Sequence, residues 1–210
     1  MTMQKFSVTV DIALIKSALI FAGKGDARYY LNGVRIESDA SGTKVLSTDG
    51  HRLMIGQVSA QASSDPADFG PVGFLLERGT LEGALKVIGK ASEVLVTFTR
   101  DDETTRATVG PVAFENPEKT WPEWRRLVPD QVSGELATFN AEYLHDCAKA
   151  RKILGGGYPG IFPIHYNGDA GTPIMLRSDV MLILMPVRAD RSEYERPEWI
   201  DAPKADAAAA

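Results

Sequence analysis

The chain has 210 residues, 44% hydrophobic and 24% charged, enough to bury a core and form one or two compact domains. That balance excludes a disordered, collagenous or disulfide-stapled chain; the single cysteine, Cys147, forms no internal disulfide and fits a reducing, cytoplasmic compartment. A formal net charge of −5 argues against indiscriminate nucleic-acid binding but leaves room for one basic face.

The first run, "KFSVTVDIALIKSALIFA", begins with period-2 alternation and turns helical. Phe6, Val8 and Val10 share a strand face, Asp11 is the candidate N-cap, Ile12, Ile15 and Leu19 form a helical stripe, and Gly23 is the stop. No small-residue cleavage site follows it, and no run of about 18 apolar residues exists, so neither a targeting segment nor a membrane span is expected. "RYYLNGVRIES" and "TKVLSTDGHRLMIGQVS" follow, strand-like and separated by the turn-rich "DASG". The unit reads strand, helix, then three strands.

The same order recurs. "VGFLLE" predicts a strand, "RGTLEGALKVIGK" a helix through Leu81, Leu85 and Ile88, and "EVLVTFTR", "TTRATVG" and "PVAFEN" three more strands. A third unit reads "GELATFN" as strand and "AEYLHDCAKARKIL" as helix, with Tyr143, Leu144, Cys147, Ala148 and Ile153 on or near one stripe. "GIFPIHYNG", "TPIMLRS" and "VMLILMPVR" complete it. Repeats of about 55 residues point to similar modules side by side. Linkers are expected at residues 61–70 and 127–134, and the polar, Ala-rich end, residues 191–210, reads as a flexible tail.

Cys147, His51, His145 and His165 are scattered without zinc-ligand spacing, so no metal is expected, and no Walker or nucleophile-elbow motif occurs. Asp49 and His51 in "STDGHRL" are a conceivable acid–base or metal pair for a hydrolase. No second acidic cluster accompanies them, so a tight turn is preferred, with Asp49 accepting backbone hydrogen bonds and Gly50 supplying an unusual angle. The cations recur instead. Lys16, Lys24, Arg78, Lys86, Lys90, Lys149, Arg151 and Lys152 lie in or beside the three helices. For one helix that is a solvated face; repeated in all three, it suits sequence-independent contact with a phosphate backbone.

"RYYLNGVRIES" followed by "LSTDGHRL" closely resembles the middle domain of the bacterial sliding clamp family, the beta subunit of DNA polymerase III; "KTWPEWRRLVP" looks like the end of that domain and "LILMPVR" like the family's last strand. The likeness covers roughly residues 6–188. It implies an α+β DNA clamp fold of three repeated β-α-β-β-β units, helices on one side and antiparallel sheets on the other. Residues 1–130 would be middle-domain-like (units about 5–60 and 70–128), and residues 131–190 half of a C-terminal domain. Family chains carry six units, so the N-terminal domain and half of the last are missing here. Such a shortened form points to a phage or mobile element.

The family has no enzymatic activity and no cofactor. It encircles duplex DNA and holds polymerases and repair proteins by a peptide motif in an apolar pocket. The resemblance puts that pocket at Leu31, Thr48, Gly50, His51, Arg52 and Leu53, at Pro122, Arg126 and Leu127, and at Ile183, Met185, Pro186, Val187 and Arg188. Met, Leu, Ile and Pro would make the cleft, and Arg and His its polar rim. Val187 and Ala189 stand where the family has larger Met and Leu. A homotetramer is expected, since four chains of three units restore the count in two chains of six. The rival reading is a clamp-derived decoy that binds peptides and competes with a host clamp without encircling DNA.

Overall fold

The computed structural model describes residues 4–59, 69–101, 104–115, 121–155, 157–188 and 196–197. The expected linker at 61–70, except Phe69 and Gly70, and the expected tail, except Arg196 and Pro197, lie outside the described residues. The first unit is β1 (Gln4–Asp11), α1 (Ile12–Phe21), β2 (Gly33–Asp39), β3 (Gly42–Thr48) and β4 (Arg52–Gln57). The second is β5 (Val72–Glu77), α2 (Arg78–Ile88), β6 (Glu93–Arg100), β7 (Thr105–Val109) and β8 (Val112–Glu115). The third supplies α3 (Ala141–Leu154), β9 (Thr172–Arg177) and β10 (Val180–Leu184).

Each helix starts from a side chain that ends the segment before it. Asp11 accepts from the Ala13 N–H at 2.7 Å, Glu77 from Gly79 and Thr80 at 2.7 Å each, and Asn140 from Glu142 at 2.9 Å. These bonds satisfy N–H groups that have no partner inside the helix.

The strands form two antiparallel sheets, β1-β6-β7-β8 and β5-β2-β3-β4-β10-β9. The first two units exchange their opening strands. β1 pairs with β6, Val8 opposite Val96, and β5 pairs with β2, Phe74 opposite Ile36. Reciprocal bonds lock the exchange, from the Ile12 N–H to Ser92 O (2.8 Å) and from the Arg78 N–H to Asn32 O (3.0 Å). Alternation on these strands sends Phe6, Val8, Val10, Val94, Val96 and Phe98 into one core with Ile36, Phe74 and Leu76.

The third unit joins that core from the side. β10 pairs with β4, Ile183 opposite Leu53, and α3 packs along α1, where Ala18 and Ala150 are fully buried. α1 therefore buries Leu14, Ser17, Ala18 and Phe21 as well as the expected stripe of Ile12, Ile15 and Leu19. A periodicity argument cannot see α3, which arrives from more than a hundred residues away. On α3 the buried positions are Cys147, Ala150 and Leu154, a 3.6-residue progression that leaves Ile153 on the outside, contrary to the expected stripe.

Two strands read from the sequence do not form. "GELATFN" has no ladder, and "GIFPIHYNG" contributes only the Ile164–Ile174 bridge. In the first two units such strands are completed by another unit; here no third-unit partner exists among the described residues. Likewise "RYYL" is not strand: Tyr29–Leu31 is a turn of 3-10 helix.

Candidate peptide cleft and cationic helices

The turn of "STDGHRL" is shaped by its own side chains. Thr48 Oγ1 accepts from the Gly50 N–H (3.0 Å), and Asp49 Oδ1 accepts from the N–H groups of His51 and Arg52 (2.9 Å each). Gly50 sits at φ +91°, and a Cβ there would come within 3.0 Å of the Arg28 guanidinium. Both Asp49 oxygens are engaged, Oδ2 with Arg52 (2.8 Å), and no cluster of three His, Cys, Asp or Glu stands ready for a metal among the described residues.

Past this turn, β4 sends alternate side chains to opposite faces. Leu53 and Ile55 face an outer apolar cluster with Leu46, Trp124 and Ile183, whereas Met54 joins the main core. Arg52 shares the inner face. It is 8% exposed, pairs with Asp49 and with Asp146 of α3 (2.7 Å), and lies over the rings of Tyr143 (4.4 Å) and Phe21 (5.2 Å). Arg52 is thus a bridge between β4 and α3, not the expected rim of a pocket. Burial pulls its pKa down, and hydrogen bonds to Asp146 and Asp49 outweigh that, for a net rise. Burial pushes Asp146 up, yet bonds from Lys149 and Arg52 leave it below the usual carboxylate value. Cys147, beside them, is pushed up by burial to about 12.

The outer face carries a cleft of about 190 Å³, lined by Arg28, Tyr30, Leu31, Thr48, Gly50, Leu53, Trp121, Pro122, Trp124 and Leu127. Its wall is the segment after β8, pinned to β2. Trp124 Nε1 donates to Glu37 (3.2 Å), and Arg125 reaches Glu37 and Asp39 at 2.7 Å each while stacking over Trp124. Gly171 lets the third unit approach, since a Cβ there would meet Ile183 (2.7 Å), Met185 Sδ (3.5 Å) and Leu127 O (3.6 Å).

Of the residues expected in a pocket, Leu31, Thr48, Gly50, Leu53, Pro122 and Leu127 line this cleft, with Ile183 and Met185 adjoining. Arg126, Val187 and Arg188 are exposed and Pro186 half-buried, none of them in the lining. The exposed His51 stacks on Tyr143 (6.1 Å). Arg28, Tyr30, Trp121 and Trp124 were missed, although they stand inside the motifs "RYYLNG" and "KTWPEWRRL"; aromatic residues in a connecting segment were the available signal. The Arg28–Asp26 pair (2.8 Å) fixes a cation at the mouth, its hydrogen bonds holding the Asp26 carboxyl down at about 2.

The expected DNA-facing cations divide. Lys16, Lys24, Lys86, Lys90 and Lys152 are exposed and enter no ion pair among the described residues. Arg78 instead caps the end of α1, donating to Gly23 O (3.0 Å), Ala22 O (2.9 Å) and Leu19 O, and pairs with Glu82. Arg151 donates to Tyr158 O (3.1 Å) and Leu176 O, and Lys149 pairs with Asp146 (2.8 Å). Lys16 lines a groove with Ala91, Ser92 and Ile153. Lys90 and Lys152 are chain neighbours of Ala91 and Ile153 but do not line the groove. A larger groove of about 370 Å³, at Asp11, Glu93, Arg177 and Asp179, is lined by residues of all three units.

The family model for the DNA polymerase III beta subunit, central domain, matches residues 8–115. The chain is 28% identical over 150 residues to the beta sliding clamp of Vibrio cholerae, covering 70% of this chain and 39% of that protein. It is 31% identical over 139 residues to that of Pseudomonas aeruginosa, 65% of this chain and 36% of the other. It therefore spans well under half the length of these curated relatives. Among solved structures, the P. aeruginosa beta subunit is similar at a TM-score of 0.66 with 16% identity, covering 87% of this chain and 66% of that one. A Helicobacter pylori beta clamp bound to a DNA ligase peptide is similar at 0.61 with 13% identity, covering 87% and 65%. No helix among the described residues is long and apolar enough to cross a membrane. With the central-domain model matched over half of its length, and with its α+β fold of paired units, the chain belongs to the DNA polymerase III beta subunit family of sliding clamps.

Proposed function

We propose that the chain is a clamp-type processivity factor. It tethers polymerase or other clamp-binding-motif proteins through the cleft at Leu53 and contacts duplex DNA through its helix cations, with no enzymatic activity and no cofactor. The observation that carries the reading is the cleft itself, where residues 28–31, 48–53 and 121–127 meet around an apolar floor beside Met185. The DNA ligase peptide held by the H. pylori clamp supports a peptide occupant. Work on replicating DNA puts the chain in the cytoplasm. Three units per chain make a homotetramer the assembly that restores a full ring.

Fluorescence polarisation with a peptide of a Gln followed by apolar and aromatic residues tests the cleft. A short peptide fills a small area, so the expected affinity is roughly micromolar, about −8 kcal/mol. Replacing Met185 with Ala should weaken it by about 1 kcal/mol; no binding at a hundred micromolar would overturn the tethering role. Retention on circular DNA, lost on linearisation and in a Lys16, Lys86, Lys90, Lys152→Glu variant, tests the DNA contact. Peptide binding without any DNA retention would turn the reading to the decoy.

A further inference from the structure

The first two units show what completes a unit of this fold. Each lends its opening strand to the other's first strand after the helix, in register: the residue three before the helix cap, Val8 or Phe74, faces Val96 or Ile36. The third unit holds both halves of this exchange and pairs neither as a ladder among the described residues. Its opening segment, residues 134–140, crosses the end of its small sheet, tied by Gly134 N–H to Tyr166 O (3.0 Å), Gly168 N–H to Glu135 O (2.9 Å) and Val187 N–H to Thr138 O (2.8 Å). The extended segment after its helix bonds β9 through Pro163 and His165, and its far end, Tyr166 and Gly168, is bonded on the other edge by Gly134 and Glu135 of the same chain. The His165 N–H donates to Pro173 O and Pro163 O accepts from Met175, so by strand alternation Phe162 and Ile164 turn their N–H and C=O groups to the opposite edge. No strand covers that edge among the described residues.

Leu136 and Ile161 within these segments, and Tyr158 before the second, are exposed by 72, 67 and 78%. An open edge flanked by apolar side chains is a template for another chain. The donor and acceptor occur together in one chain, which is the condition for a self-complementary, two-fold contact.

We propose that two copies of this chain join through their third units, each laying residues 136–140 along the 161–164 edge of the other, beyond the bonds that Gly134 and Glu135 make within their own chain, as β1 and β5 do within one chain. By the register of the intact pair, Ala137, three residues before the Asn140 cap, falls opposite Ile164 of the second copy. The contact consumes both faces of its kind. It leaves β8, the last strand of its sheet among the described residues, as the next edge outward. That edge meets its own kind, as β4 meets β10, so assembly proceeds through two-fold axes and not head to tail. The contact deepens the tetramer reading by naming one of its interfaces.

Light scattering on the full chain at tens of micromolar should give twice or four times the chain mass. Ala137→Pro, which removes a ladder N–H, should halve that mass or reduce it to the monomer, while Ala137→Thr, which keeps the N–H, should leave it unchanged. Should Ala137→Pro fail to fold, a mixture of Ala137→Cys and Ile164→Cys chains decides. Oxidation should give a disulfide-linked heterodimer only when both are present, and Cys147 is too buried to interfere. A monomeric wild type, an assembly untouched by a folded Ala137→Pro, or no cross-link in the mixture overturns the proposal. A dimer that never reaches a tetramer leaves this contact standing and sinks the closed ring.

Discussion

Arg52 and Leu53 are neighbours in the chain and face opposite ways across the same sheet. Leu53 floors an open apolar cleft with Leu31, Pro122 and Leu127. Arg52 is buried on the other side between two carboxylates and two aromatic rings, joining the first unit to the third. The difference teaches that one short motif can carry a binding surface on alternate residues and an assembly strut on the others. Substitutions on the inner face should cost stability and spare the cleft; those on the outer face should do the reverse.

The largest expected effect is on the inner face. Cys147 lies under Arg52 with its thiol pushed up to about 12, so alkylation at pH 8 should run about a thousandfold slower than for an ordinary thiol. Rapid labelling of the native chain would mean that the packing of α1 on α3 opens readily. Next, Arg52→Met should cost about 3 kcal/mol in urea unfolding, since it leaves two carboxylates without their shared cation. Peptide affinity at a temperature where the variant is folded should not change; a weakened affinity with intact stability would return Arg52 to the rim.

The same pair predicts a pH dependence. Asp146 has a lowered pKa in the folded chain, so its contribution is complete above the ordinary carboxylate value, near about pH 4, and fades as pH falls through the depressed value. Wild type should lose stability more steeply than Arg52→Met below about pH 4 in acid titrations followed by circular dichroism; equal slopes would mean that Lys149 alone sets the shift. The smallest effect belongs to the outer face. Leu127 is 46% exposed, so Leu127→Ala should cost under about 0.5 kcal/mol of stability. Its loss from the cleft should weaken peptide binding about fivefold by fluorescence polarisation, about 1 kcal/mol.

The sequence by itself determined the order of strands and helices in the first two units, apart from "RYYL". Alternation at Phe6, Val8 and Val10, the Asp11 cap and the breaks at "DASG" and "TDGH" are local properties, and local geometry suffices to write a strand, a helix start or a turn. The Leu31, Thr48, Gly50 and Leu53 side of the cleft was not among these local properties; it followed only from the resemblance of "RYYLNG" and "TDGHRL" to the clamp family. Only the tertiary structure decided which face of β4 meets which neighbour. Both faces are covered, one by α3 and one by Trp124, and each cover comes from distant chain. It also decided the fate of the third unit. "GELATFN" has the composition of a strand, but a strand exists only where a second backbone runs beside it as a ladder, and none does among the described residues.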